Sequence, residues 1–173
     1  MTVPRAPKMT GARYFTPAQN EDLATLFEAI WPGAPGRPGA RDAGASDYVD
    51  QLLAVAEAYY EVPGWRVTYQ EGLAMLTAGA KTRFPGLANL AALKPNQATD
   101  LLSQLQAGAL AEFPDVAWQK NFFAVLRSHA IEGCLADPRW GGNRNGVIWK
   151  WLGYPGAPFR QAPLCAHLQQ APL

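Results

Sequence analysis

The chain has 173 residues, 49% of them apolar, which is enough for one domain with a substantial core and too few for two ordinary ones. Fifteen Lys and Arg against fourteen Asp and Glu leave a net charge of +1, which excludes a bulk field for holding nucleic acid or anionic lipid. No stretch approaches the roughly 18 apolar residues that a membrane-spanning helix needs.

Residues 1–13 are polar and proline-containing and are expected to form a flexible leader to a single domain over 14–158, with a Pro-rich tail at 159–173. The leader has neither the apolar core of a secretory signal nor a twin arginine. The chain is therefore expected in the cytoplasm, unless a signal has been removed or it leaves with a partner. The first helix is predicted from Phe15 onward. Thr16 is placed to cap it, Pro17 fits its first turn and Gln19 completes a capping box, while Leu23, Leu26, Phe27 and Ile30 share one face. Pro32 stops it. PGAPGRPGARDAG then reads as an irregular connection, too rich in Pro and Gly for helix.

The 3.6-residue period resumes in SDYVDQLLAVAEAYYE, capped by Ser46 or Asp47, with Val49, Leu52, Leu53, Ala56 and Tyr60 on one stripe and Pro63 with Gly64 at its end. A third helix is predicted over 67–82 with Tyr69, Leu73, Leu76 and Ala80 aligned, followed by a turn and a short helical piece in RFPGLANLAAL. A fourth starts at Pro95, buries Leu101, Leu102 and Leu105, and stops near Gly108. The fifth and longest runs from Asp115 toward Pro138 with Trp118, Phe122, Val125, Leu126 and His129 on one side. Nothing alternates at period two, so the fold class is all-α: an irregular bundle of about five to six helices with long Pro/Gly-rich connections and a Gly-rich C-terminal turn.

Self-sufficient catalytic chemistry is thin. Two cysteines and two histidines would all be consumed by one zinc site, so no metal-binding or catalytic residues are assigned. Both cysteines are expected as free thiols. Cys134 and His129 stand five residues apart, about 140 degrees around a helix, unsuited to a catalytic pair. His129 is expected as a core or interface imidazole bonded to a backbone carbonyl or to Glu132, and His167 in the tail would need a partner subunit to hold it still.

The most distinctive stretch is DPRWGGNRNGVIWKWLGYPG at 137–156. Its glycines and asparagines suit a chain reversal through φ > 0, with Asn143 and Asn145 bonding their own backbone and a short helix presenting Trp149 and Trp151. It matches no dinucleotide or P-loop pattern. An alternative reading makes the GGNRNG loop an anion or small-ligand site with Arg144 and His129 as its polar groups. The reading preferred is burial against another protein, because Trp, Tyr and Arg dominate interface energy. Arg139, Trp140, Asn143, Arg144, Trp149, Trp151 and Tyr154 are the expected partner-binding residues.

FTPAQNEDLATLFEAIWPG, the loop into ARDAGASDYVDQLL, and FFAVLRSHAIEGCLADPRWGGNRNGVIWKWLGYPG together resemble the gluconate 2-dehydrogenase subunit 3 family over roughly 15–156. The resemblance implies a non-catalytic small subunit that supports folding, stability, FAD loading or export of a large flavoprotein of the glucose-methanol-choline oxidoreductase type. It places FAD and the catalytic histidine in that large subunit, with electrons leaving through a cytochrome c. Family members often carry a twin-arginine signal and this chain does not, which leaves the stabilising role as the stronger expectation.

Overall fold

The computed structural model describes residues 13–55 and 61–154. Among them the secondary structure is helical throughout, apart from one isolated bridge between Ala34 and Arg37 that closes a turn. Helix α1 is Pro17–Ile30, and its start follows from side-chain chemistry. The Thr16 hydroxyl accepts from the Gln19 amide at 3.3 Å and the Gln19 side chain accepts from the Thr16 amide at 3.0 Å, satisfying two donors that a helix leaves unpaired. Leu23, Leu26 and Phe27 are fully buried, as the spacing predicts, and Ile30 packs at the core margin.

The Pro/Gly connection is more ordered than its composition suggests. The Glu28 carboxylate accepts from the amides of Gly33 and Arg41, tying both ends of the loop to α1. Within it, Ala40–Ala43 form a single helical turn, α2, where no helix was expected. Two features permit it: the Asp42 carboxylate accepts from the Gly39 amide at 2.9 Å, and Ala40 and Ala43 are small enough to bury completely.

Gly44, in the left-handed region at φ +64°, joins α2 directly to α3, Ala45–Ala54. It occupies the capping position expected for Ser46 or Asp47, both of which lie inside the helix. Val49 and Leu53 are buried and Leu52 is half-buried, whereas Ala56 and Tyr60 lie outside the described residues. Pro63 and Gly64, expected to end a helix, instead sit in the first turn of α4, Val62–Arg83. Proline is tolerated there because amides of the first turn have no intrahelical acceptor to lose. Tyr69, Leu73, Leu76 and Ala80 form the buried face of α4.

A 3-10 turn at Leu90–Ala92 precedes α5, Pro95–Ala107, which ends at Gly108 with φ +76°. Helix α6, Val116–Leu135, starts where the Asp115 carboxylate accepts the Trp118 amide at 2.7 Å. It packs on α1, α3, α4 and α5 and forms the spine of the bundle. Glycines set the closest approaches: a Cβ at Gly72 of α4 would lie 2.6 Å from the Phe122 ring, and one at Gly133 of α6 would lie 2.8 Å from the Ala45 backbone.

Two buried polar side chains replace missing backbone pairing. Gln119 both accepts from and donates to Leu110, each at 2.9 Å, pinning the α5–α6 connection. Asp50, 1% exposed, accepts from the amides of Tyr14 and Phe15 and pairs with Arg13 at 2.8 Å. Burying such a carboxylate is tolerable because hydrogen bonds and a cation replace its water. After α6 come two 3-10 turns, Pro138–Trp140 and Arg144–Gly146, and a final helix α7, Val147–Leu152.

Candidate docking surface

The Gly-rich turn folds back onto the end of α6. Gly141, Asn143, Asn145 and Gly146 all have positive φ, at 91°, 43°, 56° and 65°. Glycine and asparagine adopt this region at the lowest cost, which explains the composition of GGNRNG. Gly142 is required for a different reason: a Cβ there would collide with the Gly133 carbonyl.

Asn143, expected to face a partner, is fully buried. Its amide donates to Gly133 O at 2.8 Å, its side-chain nitrogen to Ala136 O at 3.1 Å, and its side-chain oxygen accepts from Ile148 N at 2.9 Å. It stitches the turn to α6 and α7, bonding neighbouring segments in place of its own backbone. Arg144 is exposed but engaged: it pairs with Asp47 of α3 at 2.6 Å, and its guanidinium packs against Gly44. Although partial burial pushes the Asp47 carboxyl upward, the hydrogen bond and charge of Arg13, with hydrogen bonds from Arg144 and Asn20, hold it below the usual carboxylate range.

The remaining residues of the stretch sort by exposure. Trp149 is half-buried, donating its indole N–H to Leu135 O at 2.9 Å and meeting Tyr154 edge-on at 5.0 Å. Trp151 is 44% exposed, Leu152 53% and Tyr154 47%. Of the two tryptophans in α7, Trp149 is tied to the fold and Trp151 faces outward. Arg139 bonds Asp137 and lies over the Trp140 ring at 5.7 Å, so Trp140 is held at the rim of a cleft.

That cleft, about 620 Å³, lies between α3, the start of α4 and the end of α6. Its walls include Tyr48, Gln51, Trp65, Glu132 and Trp140, and Leu135 is common to this cleft and to a second hollow of about 450 Å³ bordered by Trp149, Leu152 and Tyr154. Trp140, Trp149 and Tyr154 are among the contacts the sequence predicts and Glu132 was expected only as a partner of His129, whereas Tyr48, Gln51, Trp65 and Leu135 were not reached, because they come from three elements with no shared spacing. The signal available was Leu135, an apolar residue at the exposed end of α6 beside a turn rich in tryptophan.

His129 is buried behind this cleft, as expected, but its partner differs. Its Nδ1 lies 3.0 Å from the Tyr69 hydroxyl, its ring stacks on Tyr69 and Trp65 meets it edge-on at 4.7 Å. Glu132 instead accepts from the Tyr48 hydroxyl at 3.3 Å. Burial lowers the His129 pKa to about 4 and pushes the Cys134 thiol up to about 12. Cys134 is a free buried thiol, and Cys165 and His167 lie outside the described residues.

Arg144 and His129, the polar pair of the anion-site alternative, are thus committed to different structural partners. Helix α7 has only six residues, too short to present a developed dipole at its start. Among the described residues no group of three or more His, Cys, Asp and Glu side chains could hold a metal ion, and no helix is long and apolar enough to cross a membrane.

No curated protein and no solved structure matches the chain. A family model, gluconate 2-dehydrogenase subunit 3, matches residues 17–156, from the first residue of α1 through the Gly-rich turn and α7. The chain belongs to the gluconate 2-dehydrogenase subunit 3 family and is by that membership a subunit of a multi-subunit dehydrogenase.

Proposed function

We propose that this chain is a non-catalytic small subunit that binds and stabilises a large, FAD-carrying flavoprotein of the glucose-methanol-choline type acting on a sugar or sugar acid. The observation that carries this reading is the outward-facing apolar group at the carboxyl end of the matched region: Leu135, Trp151, Leu152 and Tyr154, each more than a third exposed. Large side chains of this kind supply binding energy when a partner excludes water from them. Among the described residues the groups most suited to chemistry are occupied: His129 is sealed against Tyr69, Cys134 is buried as a thiol, and Arg144 is paired with Asp47. A cytochrome c subunit would then accept electrons from the flavoprotein and not through this chain.

Co-expression tests the proposal. The flavoprotein is expected to gain soluble yield and bound FAD when this chain is present, and equal flavin content and stability without it would refute the role. Trp151→Ala is expected to leave the isolated chain folded and to weaken association by about 2 kcal/mol or more. Unchanged affinity in a pull-down titration would remove Trp151 from the contact.

A further inference from the structure

The cleft between α3, α4 and α6 has a chemistry of its own. Trp65 and Trp140 contribute aromatic surface and Leu52 aliphatic surface, while among the described residues Glu61 and Glu132 are the charged side chains that line it. Neither glutamate forms an ion pair with a Lys or Arg among the described residues. Gln51, in the same wall and packed against Gly141, holds a buried carbonyl oxygen with no hydrogen-bond partner among the described residues. Partial burial raises the Glu132 pKa, against the effect of the Tyr48 hydroxyl bond, as it does for a carboxylate that has lost water without gaining a cation.

An aromatic cleft with two carboxylates that no described Lys or Arg neutralises is complementary to an apolar segment bearing a positive charge. Leu135 borders both this cleft and the hollow beside Trp149 and Tyr154, so the cleft lies next to the exposed apolar group proposed to meet the large subunit. We infer that this cleft receives a segment of the large subunit, which lays an apolar side chain against Trp65 and Trp140 and sets an arginine or lysine against Glu132 and Glu61. The inference rests on the reading of this chain as a partner-binding subunit and adds the place and charge of the contact.

The test uses the complex from co-expression, with the photo-reactive residue p-benzoylphenylalanine replacing Leu52. The expected crosslink joins the large subunit at a peptide containing Arg or Lys beside apolar residues. Glu132→Lys is expected to weaken binding about tenfold or more, and exchange of the crosslinked partner cation for Glu is expected to restore it. Glu132→Gln, nearly isosteric, should weaken binding less and guards against loss of folding, which thermal unfolding of each variant checks. Crosslinking to residues of this chain, to a second copy or to an acidic peptide would overturn the assignment. If the complex forms and both Glu132 variants bind as the unaltered chain does, the cleft assignment fails while the subunit reading stands. If the two proteins do not associate at all, both fail.

Discussion

Replacing Asn143 by alanine tests how the Gly-rich turn is held. The substitution removes a donor to Ala136 O at 3.1 Å and an acceptor for Ile148 N at 2.9 Å. Each loss strands a backbone group in a site with little access to water, at a cost of about 1 to 3 kcal/mol. Alanine at φ +43° adds about 1 kcal/mol of strain that asparagine largely avoids. Together the loss comes to about 3 to 7 kcal/mol, a large share of the roughly 5 to 15 kcal/mol by which a domain is stable. Urea unfolding followed by tryptophan fluorescence measures the total, and hydrogen exchange at Ile148 N shows whether the turn opens locally before the bundle unfolds. Asn143→Gly separates the contributions, since glycine accepts the backbone angle and loses only the bonds. A loss below about 1 kcal/mol for Asn143→Ala, with Ile148 still protected, would refute this account of the turn.

Acid should destabilise the fold through His129. Its folded pKa of about 4 lies below the unfolded value of 6.5, so its contribution is fully present above pH 6.5 and is lost as pH falls toward 4. The loss is about 3 kcal/mol in total, and His129→Gln is expected to flatten that part of the stability-against-pH curve; an unchanged slope would refute the assignment. Gly133→Ala places a methyl 2.8 Å from the Ala45 backbone, which cannot rotate away, and is expected to cost about 1 to 3 kcal/mol, read as a lowered thermal midpoint. In a Cys165→Ser background, Cys134 should resist thiol reagents at pH 8 in the native protein and react fully on unfolding, because burial holds its pKa near 12. Rapid native labelling would contradict that burial.

Much of the fold was legible from local chemistry. Helix α1, α5 and α6 start at the caps and prolines that the residues announce, Thr16 with Gln19, Pro95 and Asp115, and Gly108 ends α5, because these signals act within one turn of backbone. The buried faces of α4 and α6 likewise follow from 3.6-residue spacing alone. Where two local readings compete, the sequence misleads. Pro63 with Gly64 can close one helix or open the next, and Ala40–Ala43 become helical only because Glu28 and Asp42 hold the loop around them. The site was legible as a composition, aromatic and basic residues among glycines, but not as a surface. Which side of Asn143, Arg144 and Trp149 meets solvent depends on Gly133, Ala136, Asp47 and Leu135, residues between 7 and 97 positions away in sequence that only packing brings near. The cleft is the extreme case: its walls come from α3, α4 and α6, and no spacing within one element encodes a space between three. Local chemistry therefore determined the helices and their caps. The tertiary structure decided which polar residues seal the turn and which aromatics remain outside for a partner, because burial depends on what arrives from elsewhere in the chain.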